Sequence, residues 1–128
     1  MNTICDTNIA KLQVSGNSKS LIIPRNWLYS LFGQLERKEI LKRNLYIDYE
    51  EDLKVIKLTK NPPYFNFTVL SLSKTKIQRI GTSFGVFLPM KMIRHMFQEI
   101  FGINYQTNNL NVELKFNENE SSIEIKKI

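Results

Sequence analysis

KLQVSGNSKSLIIPRNWLYSLF, from Lys11 to Phe32, returns sixty-five positions later as KIQRIGTSFGVFLPMKMIRHMF, from Lys76 to Phe97. Lys11 meets Lys76, Gln13 meets Gln78, Gly16 meets Gly81, Ser18 meets Ser83, Pro24 meets Pro89 and Phe32 meets Phe97. Six identities in 22 positions are modest in number, but Gly, Ser and Pro recur at one spacing inside one apolar pattern, without a gap. Asn44-Leu45 and Asn109-Leu110 keep the same offset further along. Self-similarity of this kind reads as an internal duplication, and a duplication constrains the architecture before any local reading does.

Each copy has the same local grammar. From Ala10 to Ser15, Leu12 and Val14 alternate with Lys11, Gln13 and Ser15, the period of a half-buried strand. Gly16-Asn17-Ser18 is turn chemistry, and Leu21-Ile22-Ile23 is a β-rich run that Pro24 closes while suiting the start of a helix. Leu28, Leu31, Phe32 and Leu35 form one helical stripe. Ile93, Met96, Phe97, Ile100 and Phe101 form the other, with Gly102 as its stop. Residues 36–43 either prolong the first helix or make a second short one. Leu45, Ile47 and Tyr49 alternate, Glu50-Glu51-Asp52 turns, and Leu53, Val55 and Lys57 return as a hairpin. Leu110 to Phe116, the turn Asn117 to Ser122, and Ile123 with Ile125 do the same in the second copy.

The expected fold is therefore mainly β with short helices (α+β), built as two β-β-α-β-β repeats. Residues 1–60 are the first repeat, 61–72 a connecting segment and 73–128 the second repeat. A unit of about 50–55 residues is marginal alone, so the two are expected to share one core. Thr3-Ile4-Cys5 leads in as a strand. Asn61-Pro62-Pro63 breaks the chain, and Tyr64 to Leu72 is too apolar for a loose linker and is expected to pack.

The 128 residues carry a net charge of +6, and its placement is uneven. No acid lies between Thr7 and Leu35, or between Leu53 and Gln98; the acids gather in 36–52 and 99–124, late in each repeat. Such segregation predicts one face that attracts a polyanion. No apolar run reaches the roughly 18–20 residues of a membrane span. The N-terminus lacks the pattern of a signal peptide, and the lone Cys5 allows no internal disulfide, so a cytoplasmic protein without a membrane partner is expected. Richness in Asn, Lys and Ile together with small size points to an A/T-rich mobile element such as a plasmid or phage.

Catalytic constellations are thin. His95 is the one histidine, so any triad or imidazole metal site would rest on it alone, and it reads as a helix-surface residue near the basic face. No phosphate-loop motif occurs, and Asp48, Glu50, Glu51 and Asp52 read as turn solvation. We expect no enzyme, cofactor or metal. Duplex DNA fits better, with basic side chains on phosphates and Gln, Asn or Arg on base edges. The expected contacts are Lys11, Gln13, Asn17, Ser18, Lys19 and Arg25 in the first copy. In the second they are Lys74, Lys76, Gln78, Arg79, Thr82, Ser83 and Lys91. Asn17, Ser18, Thr82 and Ser83 form turns first, and any DNA contact is added to that.

At Gly16-Asn17-Ser18 with Ile23-Pro24-Arg25, and again at Gly81-Thr82-Ser83 with Leu88-Pro89-Met90, the sequence resembles the AbrB/MazE/SpoVT swapped-hairpin family of regulators and antitoxins. The match covers almost the whole chain, once per repeat. The resemblance implies a swapped-hairpin β-barrel closed by both repeats as an intramolecular pseudo-dimer. DNA would be gripped at Gln13, Val14, Asn17 and Ser18, and at Gln78, Arg79, Thr82 and Ser83. The implied function is a sequence-specific transcriptional regulator. Ile22 and Phe87 stand where MazE-like members often carry arginine, and Val14 replaces a basic residue that Arg79 retains, which predicts unequal halves. Those departures support a second reading, a protein-interaction module or atypical antitoxin with weak or no DNA binding. Pairing with a second copy of the chain stays open, as many DNA-binding regulators pair to read two half-sites.

Overall fold

Two-residue alternation of apolar and polar side chains sets the strands of the computed structural model, which describes residues 5–15, 18–61, 73–106 and 110–128. Residues 1–4, the Gly16-Asn17 pair and the expected packing segment Tyr64 to Leu72 lie outside the described residues. The strands are β1 (Cys5–Ser15), β2 (Ser18–Ile23), β3 (Asn44–Glu50), β4 (Val55–Thr59), β5 (Ser73–Lys76), β6 (Gln78–Ile80), β7 (Ser83–Pro89), β8 (Leu110–Asn117) and β9 (Ser122–Lys127). In β8 the alternation is complete, with Leu110, Val112, Leu114 and Phe116 buried and the residues between them facing outward.

Pro24 ends β2, and helix α1 (Arg25–Phe32) follows it; Trp27 and Leu28 donate their N–H groups back to the Pro24 carbonyl. Gly33, at φ 90°, adopts a backbone that a Cβ would strain, and α1 stops there. Leu35 thus falls beyond the helix, although it still packs on the core. The stretch 36–43 forms a separate short helix, α2 (Arg37–Ile40), which buries Ile40. Helix α3 (Met90–Arg94) runs on into a π-helical turn, His95–Glu99, before Gly102 at φ 68° ends it.

All strand pairs are antiparallel, in the order β5-β3-β4-β9-β8-β1-β2-β7-β6. The first and last members of that order, β5 and β6, are separated in sequence by Ile77 alone. One bent run of chain therefore joins both ends of the sheet, giving a nearly closed barrel that is mainly β with a few short helices. The bend is fixed by the Ile77 N–H donating to the Arg43 carbonyl at 2.9 Å and by the Thr75 hydroxyl donating to the Phe87 carbonyl at 3.0 Å. Strand β1 bends the same way: Cys5 to Leu12 pair with β8, and Gln13 to Ser15 pair with β2. Both bends turn an apolar side chain fully inward, Leu12 in one and Ile77 in the other. Closure of this kind leaves few unpaired edges for other chains to join.

Hairpin β3–β4 lies between β5 and β9, and hairpin β8–β9 between β4 and β1, so each hairpin finds its outer neighbours in the other half of the chain. The register is regular. A shift of 65 carries the pair Gln13–Ser20 onto Gln78–Gly85, and β2–β7 onto itself through Ser18–Pro89. For the hairpins the shift is 67, not the 65 that Asn44-Leu45 and Asn109-Leu110 suggest. Asn44 pairs with Lys76 as Asn111 pairs with Lys11, and Val55–Lys126 maps onto Thr59–Ser122. The two additional residues fall between Phe97, still at an offset of 65, and Asn111.

One buried cluster draws on β1 to β4, β7 to β9, α1, α2, α3 and the π turn, with Ile77 joining it from the bend between β5 and β6. Trp27 stacks on Phe116 at 5.5 Å and donates its indole N–H to Asp6 at 3.0 Å, fastening α1 between β8 and the start of β1. No helix among the described residues is long and apolar enough to cross a membrane. The tightest approach is at Gly85, where a Cβ would collide with the Leu21 carbonyl oxygen across the β2–β7 pair. Gly85→Ala should therefore destabilise by about 1–3 kcal/mol through overpacking, read as a lower urea midpoint at unchanged m-value.

Candidate nucleic-acid interface

The outer surface of the two bent runs, β1 and β5–β6, together with the β2–β7 strands between them, gathers most of the residues that the sequence singles out. In β1, Lys11 and Gln13 are exposed on either side of buried Leu12; in β5 and β6, Lys74 and Lys76 are exposed and Gln78 is half-buried around buried Thr75 and Ile77. Backbone pairing sets Gln13 beside Ser20 and Ser20 beside Phe87, while Gln78 lies beside Gly85 and Gly85 beside Ile22. The two glutamines thus occupy the two outer strands of one four-stranded layer, about 14 Å apart across the strands at ordinary spacing. Among the described residues no carboxylate forms an ion pair with Lys11, Lys74, Lys76 or Lys91. That leaves four cations able to meet an anionic backbone.

Other expected contacts have structural duties. Arg79 donates through Nε to the Gly81 carbonyl at 3.2 Å, and Arg25 donates through Nη2 to the Thr82 carbonyl at 3.3 Å. Arg25 also lies over the Phe84 ring at 5.3 Å. These two arginines brace the turn at Gly81, whose φ of 62° favours glycine, and they present exposed Thr82 and half-buried Ser83. Ser18 is half-buried at the start of β2, and Val14 faces Lys19 in the backbone register. Asn17 lies outside the described residues. Lys19 departs from the expectation: it alternates in phase with Leu21 and Ile23, so its side chain points inward and is wholly buried. Burial lowers its pKa from the usual lysine value, because desolvation disfavours the charged form. Its place in the second half is taken by Phe84. Lys19 thus contributes to the interior and not to the outer face.

Ile22 and Phe87, singled out in the sequence as apolar residues in place of arginine, occupy the centre of this face. Ile22 is 42% exposed and Phe87 half-buried between the glutamine-bearing strands, so cations and amides frame an apolar strip. The alternation of β2 and β7 carried that signal, since both residues are out of phase with their buried neighbours.

Each helix is also tied to the hairpin tip of the opposite half. Ser30 on α1 donates to Glu118 at 3.0 Å, and at the positions related by 65 and 67, His95 faces Glu51 at 3.1 Å. His95 is not the free surface residue that its helix position suggests. Its Nδ1 meets Glu99 at 2.7 Å, Nε2 meets Glu51, and its ring stands edge-on to Tyr49 at 4.8 Å. Partial burial opposes the charged ring, but the hydrogen bonds that it donates to Glu99 and Glu51, with the charges of those carboxylates, outweigh burial and raise the pKa above 6.5. The hydrogen bond from His95 in turn lowers that of Glu99, which also pairs with Arg94 at 3.5 Å. Among the described residues no group of three histidine, cysteine or acidic side chains is arranged to hold a metal ion. The chemistry available here is a charged latch.

Two outcomes follow from that latch. A histidine pKa raised by folding contributes stability below about 6.5 that is lost as pH rises through the folded-state value. The thermal midpoint of the natural chain should therefore fall more between pH 6 and pH 9 than that of His95→Gln. Beside it, the buried Tyr49 hydroxyl has no hydrogen-bond partner among the described residues, and burial together with Glu51 pushes its pKa up to about 12. Tyr49→Phe should be neutral or stabilising by about 1 kcal/mol in urea unfolding, since it removes a desolvated polar group.

No family model matches this chain, and no curated protein or solved structure matches it.

Proposed function

We propose that this chain is a non-enzymatic regulator that binds duplex DNA, with two related halves exchanging hairpins to close one AbrB-like barrel. Three features support the pseudo-dimer: pairing registers that repeat at 65 and 67, hairpins seated in opposite halves, and the matched links Ser30–Glu118 and His95–Glu51. The observation that carries the functional reading is the equivalent outward placement of Lys11 with Gln13 and of Lys76 with Gln78 on the two strands that bend to close the barrel. Rigid strands of this kind hold amides for base edges and ammonium groups for phosphates without ordering a loop on binding. Lys74, Lys91, Thr82 and Ser83 extend the contact, and Arg25 and Arg79 act on it chiefly through the turn that they brace.

The apolar strip of Ile22 and Phe87 favours a second reading, a protein-interaction surface on the same barrel. Gel retardation of a random duplex library at about 50 mM salt separates the two, because phosphate-driven binding is strongest there. Retention is expected, and Lys11→Ala with Lys76→Ala should weaken it at low salt and flatten the log–log salt slope by about 1.8. Gln13→Ala with Gln78→Ala should instead reduce the preference for a selected site while leaving that slope unchanged. Absence of retention for every duplex, with a protein partner that co-purifies and is lost on Ile22→Asp, would replace the first reading by the second.

A further inference from the structure

Two clefts of this barrel occupy matching places and have opposite chemistry. One, of about 390 Å³, is walled by Ile9, Phe97, Leu110, Asn111, Lys127 and Ile128. The other, of about 300 Å³, has at the corresponding positions Lys74, Phe32, Arg43, Asn44, Lys60 and Asn61. The correspondence follows the pairing registers, with 65 relating Ile9 to Lys74 and Phe32 to Phe97, and 67 relating the hairpin residues. Phenylalanine, asparagine and one lysine are the same in both. Where the first cleft has Ile9, Leu110 and Ile128, the second has Lys74, Arg43 and Asn61, and Lys42 adds a further cation at its rim.

Four cations thus line one small cleft that includes no carboxylate. Lys42 pairs with exposed Glu39 at 3.4 Å, while Arg43, Lys60 and Lys74 form no ion pair with a described residue. Like charges gathered in this way repel one another, and a bound polyanion relieves that repulsion. The backbone beneath them is fixed. The Arg43 N–H donates to the Ile40 carbonyl and its carbonyl accepts from Ile77, the Lys60 N–H donates to Ser121, and the Thr59 hydroxyl donates to the Asn61 carbonyl. Tyr46 supplies a half-buried ring and Asn44 an amide beside the charges. An arginine fork with lysine point charges is the usual donor set for phosphate oxygens.

We infer that this cleft binds a small ligand carrying two or more linked phosphates, sharing only Lys74 with the duplex face. Inorganic tripolyphosphate is the probe, titrated calorimetrically into the full chain at about 50 mM salt, where charge-driven binding is least screened. One saturable site per chain is expected. Arg43→Gln with Lys60→Gln should weaken it at least about tenfold, and Lys127→Gln in the apolar twin should leave it unchanged. Circular dichroism confirms that the double variant is folded. Lack of saturable binding by the unaltered chain overturns the inference, as does equal loss in Lys127→Gln. If tripolyphosphate fails to bind but the double variant weakens duplex retention, the cleft belongs to the DNA footprint and the inference is again overturned. Binding that persists in a chain retaining no duplex leaves this site standing and removes only the DNA reading.

Discussion

The structure depends on two bent strands, each belonging to both sides of the barrel. At Leu12 and at Ile77 an apolar side chain turns into the core while the backbone changes partner, from β8 to β2 in one case and from β3 to β7 in the other. Backbone amides in the interior must be paired, so a strand that leaves one sheet has to enter another without an unpaired gap. The Ile77 N–H meets this demand by reaching the Arg43 carbonyl. The same bend delivers Lys76 and Gln78 to the outside in the order that β1 delivers Lys11 and Gln13. Packing inside and chemistry outside are therefore set by one local geometry.

Charge is arranged around that geometry. The ion pairs of Glu51 and Glu120 join hairpin tips to elements distant in sequence, while those of Glu99 lie within the second helical run. Exposed surface pairs contribute little, typically below about 1 kcal/mol. His95 is more constrained, being less than one-fifth exposed and held from both ring nitrogens. The cations of the closing strands, by contrast, have no acidic partners among the described residues. Paired charges and cations without acidic partners among the described residues thus occupy different parts of the barrel.

Much of the fold was legible in the sequence because its signals are periodic. Alternation at Leu110 to Phe116, the glycine and proline punctuation, and the stripe through Leu28, Leu31 and Phe32 each report a local periodicity that the backbone obeys. The β-barrel class follows from them. Legibility failed where one residue serves two masters. Lys19 looked like a phosphate contact by type, but the phase it shares with Leu21 and Ile23 overrode its charge. Leu35 fits the helical stripe, yet Gly33 ends the helix first. The offset of 65 held as far as Phe32 and Phe97 and became 67 in the hairpins, since the stretches that join helix to hairpin differ in length in the two halves. Arg43, Lys60 and Lys74 could not be grouped beforehand, as they come from a helix exit, a strand end and a closing strand.

The seating of each hairpin in the opposite half has a kinetic consequence. Strand β1 pairs with β8, so Cys5 must wait for Asn117, and the contacts that complete the core are among the most distant in sequence. Ordering a loop of that span precedes any reward from the contacts it brings, which slows folding relative to a chain of local hairpins. During synthesis the early half emerges with the open edges of β1 and β3 exposed, and only the late half can cover them. In a crowded or concentrated setting the late half of a neighbouring molecule can cover the same edges, so this topology carries an inherent route to domain-swapped assemblies.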